Sequence, residues 1–329
     1  MMPSELAPSP DPLPLPEGYD RHDPTTAELR EAMTALAGER DWTRLTWAGF
    51  LESLVALGRT DIPLSRLVEG HVDALRILAE ASVPARPDQL YAVWASRSHA
   101  TGVTAQWQRD GLVLSGTLRF ASGAGLVDRA LVPVWLSEDR HLLLDVAVED
   151  WPVDTSTWRT AAMAVSRSHT ITLDGASVPS SACVGEECFY LGRPGFFLGG
   201  VGVAAVWAGG AARLTDLAVE SCRAAPPSAA RDQRLGDIRT ELATAQAVIL
   251  AASRKTPPYD GGSPRVLATE VRAAVAGAVR RLVAHARDLA GPAGLAYDLD
   301  LTRGIDDLDL YVRQQNPVSD AGYLGGLPG

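Results

Sequence analysis

The stretch Gly116-Thr117-Leu118-Arg119-Phe120-Ala121-Ser122-Gly123-Ala124-Gly125-Leu126-Val127-Asp128-Arg129-Ala130-Leu131-Val132 decides how the rest of the chain is read. It sits where apolar residues recur with a period of two, the pattern of half-buried strands. Just before it, Arg109-Asp110-Gly111 separates Val103–Trp107 from Leu112–Leu118, and Asp-Gly between two apolar runs is a hairpin signal. Strand-like runs continue at Ala130–Trp135, Leu142–Val146 and His169–Leu173, with turn residues at Asp174-Gly175 and Val178-Pro179. Residues 88–195 therefore predict a middle antiparallel β domain, a barrel or a sandwich.

On both sides the period changes to that of helices. Residues 1–24 carry seven prolines, at 3, 8, 10, 12, 14, 16 and 24, which deprive a helix of donors and predict an extended or disordered tail. From Thr25 the apolar residues Leu29, Met33 and Leu36, then Leu51, Leu54 and Val55, then Leu67, Leu75, Ile77 and Leu78 step at helical spacing, so 25–87 predicts an N-terminal helical domain. Pro63 is placed to open its last helix, and Pro84 and Pro87 mark the linker that follows. Residues 196–329 are rich in alanine, leucine and arginine and predict a C-terminal helical bundle, with helices near 199–223, 229–254 and 264–290. In the last of these, Val271, Val275, Ala278, Leu282, Ala286 and Leu289 form one apolar stripe. A final helix near 303–315 is expected to stop at Asn316-Pro317 and leave a glycine-rich tail. The class is α+β, with helices and strands segregated along the chain.

A chain of 329 residues with 46% hydrophobic content can bury a full core. Its net charge of −10 argues against nucleic acid or an anionic membrane surface as partner, because the average field repels both. No run of about 18 apolar residues predicts a membrane span, and the start of the chain has no basic, then apolar, leader pattern. Cys183, Cys188 and Cys222 form neither a disulfide framework nor a ligand set, so no metal is expected and a cytoplasmic location is.

The opening stretch resembles the flavin-facing strand of the acyl-CoA dehydrogenase superfamily, with Phe120 as its aromatic and Ser122, ahead of Gly123, as its hydroxyl residue. Other segments agree in order. Trp158–Ser168 is similar to the family's Gly-x-Arg-x-Ser/Thr segment, without its first glycine and serine, and Asp174–Pro179 to its strand-ending Asp-x-Val-x-Val-Pro. Arg193-Pro194-Gly195-Phe196 and Gly202–Ala205 resemble the entry to the first bundle helix, and Arg303 with Asp306-Asp307-Leu308 the Arg-Asp ahead of the catalytic loop. Leu57–Leu64 with Glu69-Gly70-His71 resembles a shortened branch of the family, and the likeness spans roughly residues 45–325. It implies an acyl-CoA dehydrogenase-like fold and FAD as cofactor, with Trp94, Ser96, Phe120 and Ser122 as the flavin-touching residues. It also implies a small acyl thioester substrate and an assembly that is a homo-oligomer or includes a second chain. For Phe120 the plain alternative is a strand core aromatic.

Members of this family use a glutamate as base, about eight residues after the Arg-Asp. That count leads to Gln315 within Arg313-Gln314-Gln315-Asn316, and an amide cannot act as a general base at neutral pH. Substitute proton acceptors are His99, Asp309 and Asp320. Arg231 and Arg234, ahead of Leu235-Gly236, are candidates for the flavin pyrophosphate, with a solvated arginine face as the alternative. Gly200-Val201-Gly202-Val203-Ala204-Ala205 fits a dinucleotide fingerprint in letters only, since no strand precedes it, and small residues there are expected to let helices approach. His71 reads as a helix-face histidine paired with Glu69 or Asp73, or as an active-site group. Two functions stay open: an FAD-dependent oxidoreductase acting on an acyl-CoA thioester or related small substrate, and a degenerate homologue serving as a binding or partner subunit.

Overall fold

The computed structural model describes residues 9–97, 101–255 and 263–327. In chain order the elements are α1 (Thr26–Gly38), α2 (Trp47–Thr60), α3 (Ile62–Glu80), β1 (Tyr91–Val93), β2 (Gly102–Gln108), β3 (Gly111–Ala121), β4 (Arg129–Trp135), β5 (His141–Ala147), β6 (Val153–Asp154), β7 (His169–Pro179) and β8 (Cys183–Val184). Then come α4 (Phe189–Gly192), α5 (Gly195–Arg223), α6 (Ala229–Ser253), α7 (Pro264–Tyr297), α8 (Leu299–Val312) and α9 (Pro317–Gly325). They form two compact units. A sheet unit comprises Leu15–Arg44 and Arg66–Phe196, and a helical unit comprises the residues up to Pro14, Leu45–Ser65 and the chain from Phe197 onward. The helices of 25–87, expected as one N-terminal domain, thus divide: α1 and most of α3 go with the sheet, α2 and the first turn of α3 with the helical unit.

In the sheet unit the strands follow the order β6-β7-β3-β2-β4-β5-β8, with β1 beside β4. The β2–β3 hairpin forms as its sequence predicts, Gln108 facing Gly111 across the two-residue loop Arg109-Asp110. The sheet is mixed where an all-antiparallel one was expected, because β1 and β2 both pair with β4 in parallel. The physical reason is brevity: β1 spans three residues and the β2–β4 contact two register pairs, too little sequence to carry a directional pattern. Helix α1 begins with a capping box, in which Thr25 Oγ1 accepts from the Glu28 N–H and Glu28 Oε2 accepts from the Thr25 N–H. Its Arg30 reaches Asp128, just ahead of β4, at 3.0 Å. At the C-terminal end of α3, Glu80 takes the Arg193 guanidinium at 2.7 Å and the Gly195 N–H at 2.6 Å, which fixes the segment that leads into α5.

The helical unit is organised around α5, 29 residues long and buried along most of its length. By length and composition it is the one helix among the described residues that passes as a membrane span, but 61% of that window is buried within the protein. Helix α2 crosses α5 backbone to backbone. A Cβ built on Gly58 would lie 2.2 Å from the Val206 carbonyl oxygen, and one on Gly209 2.1 Å from that of Val55. The close approach expected of small residues is therefore centred on Gly58 and Gly209, while Gly202 accommodates Leu54 and Phe50. Arg59, next to the crossing, binds Asp216 of α5 through two contacts of 2.8 and 3.2 Å.

Three expectations change in this unit. The described part of the proline-rich start is held in place rather than disordered: Leu13 is buried, its N–H donates to Thr60 Oγ1 at 2.7 Å, and the Pro10 carbonyl accepts from Arg59 at 2.9 Å. An extended proline run leaves its carbonyls unused, so they are available as acceptors. Helix α7 breaks at Gly291-Pro292 as expected, where Gly291 is non-helical with φ +56° and ψ −174°, and what changes is that a short second helix follows across this kink to Tyr297. The glycine-rich end contains α9, because Asn316 caps it by accepting from the Val318 and Ser319 N–H groups and Pro317 fits the first helical position.

Gly58→Ala and Gly209→Ala are each expected to destabilise the protein by about 1–3 kcal/mol or more, since backbone atoms cannot yield as a flexible side chain would. Gly236→Ala, on α6 with nothing within 4 Å, is expected to be neutral or stabilising. Urea denaturation of the three variants checks the contrast.

Candidate functional site

At the end of β3 the pairing with β7 slips, so that Leu118 faces Ile171 and Ala121 faces His169 with two residues on β3 against one on β7. In a regular strand Phe120 would share the buried face of Leu118. The bulge turns it outward, at φ +56°, leaving it 57% exposed while Leu118 is 1% exposed. Phe120 is therefore not the core aromatic of the plain alternative. Its ring meets the edge of Trp158 in a T-shaped pair, centroids 6.1 Å apart.

Ser122, two residues on, is buried and points into a chain of hydroxyls. Its Oγ lies 2.8 Å from Ser168 Oγ, which lies 2.8 Å from Ser166 Oγ, which donates to the Met163 carbonyl at 2.7 Å. The backbone joins the same segments, since the Gly123 N–H donates to the Ser166 carbonyl at 2.9 Å. Met163 and Arg167, which bracket this turn, are both left-handed, with φ +56° and +45°. Three strained non-glycine residues thus surround one hydroxyl chain, and such strain, of order 1–3 kcal/mol each, persists where surrounding contacts over-determine it.

The other two flavin candidates lie on the continuation of β1. Trp94 is buried, donates its indole N–H to the Ser122 carbonyl at 2.9 Å and packs against Trp151 at 6.1 Å. Trp94 and Ser96 help to line a cavity of about 230 Å³ with Arg97, Leu118, Trp135 and Tyr190, and the Arg97 guanidinium stacks 3.6 Å above the Trp135 ring. The structure brings Trp94 and Ser122 into direct contact and places Trp94, Ser96, Phe120 and Ser122 in the sheet unit. Trp158, Ser166 and Ser168 belong beside them; the resemblance covers their segment, Trp158–Ser168, but names none of the three as a site residue. Their only signal is Ser-x-Ser within Trp158–Ser168, and nothing local reveals a partner 46 residues away.

His99 lies outside the described residues. The remaining acid–base candidates sit in the helical unit, and each is already engaged by a neighbouring side chain. Gln315 is buried; its Oε1 accepts from Arg280 at 2.7 Å and its Nε2 donates to Asp320 at 2.7 Å. Asp309 accepts from Arg313 at 2.8 Å and has Arg287 at 3.9 Å. Arg303 binds the buried Asp307 at 3.2 Å. Of the pyrophosphate candidates, Arg234 is within 3.6 Å of Asp237 and 3.5 Å of Asp288, and Arg231 donates to the Pro226 carbonyl, which fits a structural arginine face.

His71, expected to pair with Glu69 or Asp73, instead accepts the Tyr91 N–H on Nδ1 at 3.0 Å, while Glu69 pairs with Arg66. Burial pushes its pKa down to about 4 from an ordinary 6.5. The folded protein therefore holds His71 neutral, and the unfolded chain binds its proton first as pH falls. Stability from this group is complete above about pH 6.5 and lost towards pH 4, on the order of 3 kcal/mol in all. His141 and His169, also shifted down by burial, act with the same sign. His71→Gln, which keeps an acceptor for Tyr91 without the titration, is expected to flatten the fall in denaturation free energy between pH 6.5 and 4.

The fold is acyl-CoA dehydrogenase-like, and several solved structures share it. Butyryl-CoA dehydrogenase from Megasphaera elsdenii superposes with a TM-score of 0.74 over 94% of this chain and 90% of its own, at 15% identity. Dibenzothiophene monooxygenase (TdsC) from Paenibacillus sp. A11-2, in complex with FMN and indole, gives 0.70 over 91% and 92%, at 16% identity. PigA with FAD and proline gives 0.70 over 92% and 90%, at 16% identity. No family model and no curated protein matches the sequence. At such identities the likeness is one of fold, a fold that carries flavin-dependent dehydrogenases and monooxygenases.

Proposed function

We propose that this chain is an FAD-dependent oxidoreductase that seats its cofactor against Phe120, Ser122, Trp94 and Ser96 and acts on an acyl-CoA thioester or a related small substrate. The observation that carries the reading is Phe120 itself. A bulge turns a large aromatic residue out of the core and an indole backs it, an arrangement that strains the backbone and leaves more than half of the residue exposed. A flat ring system is the natural partner for such a surface, and the hydroxyls and indole beneath supply fixed polar groups. FAD supplies a two-electron acceptor when bound. The chain's own residues position it, exclude water through Trp94 and Trp158, and hold the hydroxyl of Ser122 in one orientation. Two of the similar structures, PigA with FAD and TdsC with FMN, support the same cofactor class. Three free cysteines fit a cytoplasmic enzyme, and a homo-oligomer is the assembly proposed.

A second reading has its own observation. Gln315, where a carboxylate base is expected, is locked between Arg280 and Asp320, and Asp309 is held by arginine. A chain so built serves as a binding or partner subunit in a hetero-oligomer, a degenerate homologue that abstracts no proton itself.

Purified protein incubated with FAD is expected to retain a flavin absorption spectrum after gel filtration. Phe120→Ala is expected to weaken FAD binding about tenfold, near 1.4 kcal/mol, with little loss of folding stability. Trp107→Ala, which removes an aromatic residue of 55% exposure from β2, is expected to leave binding unchanged. Protein that stays colourless at micromolar FAD contradicts the first reading. Turnover of an acyl-CoA by the chain alone rules out the second.

A further inference from the structure

The cavity of about 230 Å³ in the sheet unit has a buried apolar floor and an exposed rim. Trp94, Leu118 and Tyr190 form the floor, and Arg97 and Leu191 the rim. Arg97 is held in place there without a carboxylate. Its stem lies along Gly102, where a built Cβ would meet Arg97 Cγ at 3.4 Å and where φ of +118° favours glycine. Its guanidinium stacks 3.6 Å above the ring of Trp135, which lines the same cavity. Among the described residues it donates to the Glu138 carbonyl at 3.5 Å and makes no ion pair. The acidic side chains on the neighbouring segments are taken: Asp139 accepts from Ser137 and Glu187 from Arg140, each at 2.7 Å.

We propose that this cavity binds a small carboxylic acid, its carboxylate on Arg97 and its apolar body against Trp94, Leu118 and Tyr190, and that such an acid is the substrate. The proposal rests on the flavin reading given above for the role as substrate, and deepens it by naming the substrate class. A guanidinium whose face rests on an indole keeps its edge N–H groups for a ligand, and that fork matches a carboxylate. Arg97 is the single charged residue among those lining the cavity, so a monoanion balances it and a phosphate dianion does not. His141, which packs on Trp135 at 4.9 Å and accepts the Leu191 N–H at 3.4 Å, is buried and shifted down by that burial, so it adds no second positive charge at neutral pH. The volume lies below the roughly 300–1,000 Å³ of sites for drug-sized ligands, which limits the body to one ring or a short branched chain. The overall charge of −10 does not prevent binding, because charges beyond about 8 Å are largely screened at physiological salt whereas Arg97 acts at contact. Trp94 joins the cavity to the proposed flavin site, since it lines the one and donates to the Ser122 carbonyl in the other.

Isothermal titration calorimetry of the full chain, without and with FAD, tests the site with phenylacetate as probe and the neutral phenylacetamide as its control. Phenylacetate is expected to bind at least about tenfold more tightly than phenylacetamide, and Arg97→Gln to remove that preference. Arg97→Lys, which keeps the charge and loses the fork, is expected to fall between the two. Arg109→Gln, which takes the same charge from the exposed β2–β3 loop, is expected to leave both affinities unchanged. With FAD bound, phenylacetate is expected to shift the flavin absorption spectrum. Equal binding of acid and amide by the unmodified protein, or an undiminished preference in folded Arg97→Gln, overturns the proposal, and FAD uptake alongside such a result leaves the flavin reading intact. A flavin spectrum unmoved by bound phenylacetate overturns its role as substrate. Phenylacetate held through Arg97 by protein that never takes up FAD overturns the flavin reading and leaves the carboxylate site standing.

Discussion

The crossing of α2 over α5 is the constraint on which the helical unit depends. Gly58 and Gly209 bring two backbones to a separation that no Cβ permits, and the nearest atoms on each side are the carbonyls and Cα atoms of the other helix. Dispersion falls steeply with distance, so this approach gains contact along both helices, and Arg59–Asp216 holds the register beside it. Gly210 fits under Leu308 of α8 and Gly304 of α8 under Leu217 of α5, so the same use of small residues continues to the C-terminal helices. An apolar helix as long as α5 is tolerable because these neighbours cover it.

In the sheet unit the comparable constraint is the bulge on β3. One unpaired position releases Phe120 from the face that the strand period would give it, and the same irregularity brings Ser122 against the turn of residues 163–167. The site is built from strain and satisfied polar groups rather than from charge. Its hydroxyls, its indole N–H and its backbone amide are all paired, which is why it is rigid before any ligand arrives. Arg193 and Glu80 show the opposite strategy nearby. There an ion pair of 2.7 Å, with the arginine side chain 4% exposed, secures the path into α5.

Much of the fold was legible in the residues. Period two gave β2 through β5 and β7, the Asp-Gly turn gave the hairpin, and proline pairs marked the ends of α5 and α6. What escaped had short-range signals of two kinds. Asn316-Pro317 was taken as a stop, but the same pair is an N-cap and a first helical residue, and only the chain beyond it decides which. The prolines before residue 24 suggested disorder, yet the carbonyls they leave free bind Arg59 and Thr60 of α2. Of the candidate site, Phe120, Ser122, Trp94 and Ser96 were named as site residues from resemblance, whereas Trp158, Ser166 and Ser168 entered only as part of a similar segment. Contacts between segments some 40 residues apart leave no trace in local pattern.

The sequence by itself determined the main helices and strands and the amide at position 315, because periodicity and residue identity are local properties. Tertiary structure alone decided that Phe120 faces outward, that Gln315 is held by Arg280 and Asp320, and that His71 is a neutral acceptor for Tyr91. A bulge, a buried amide pair and a desolvated imidazole each depend on what a distant part of the chain places opposite, and no local pattern of residues records that.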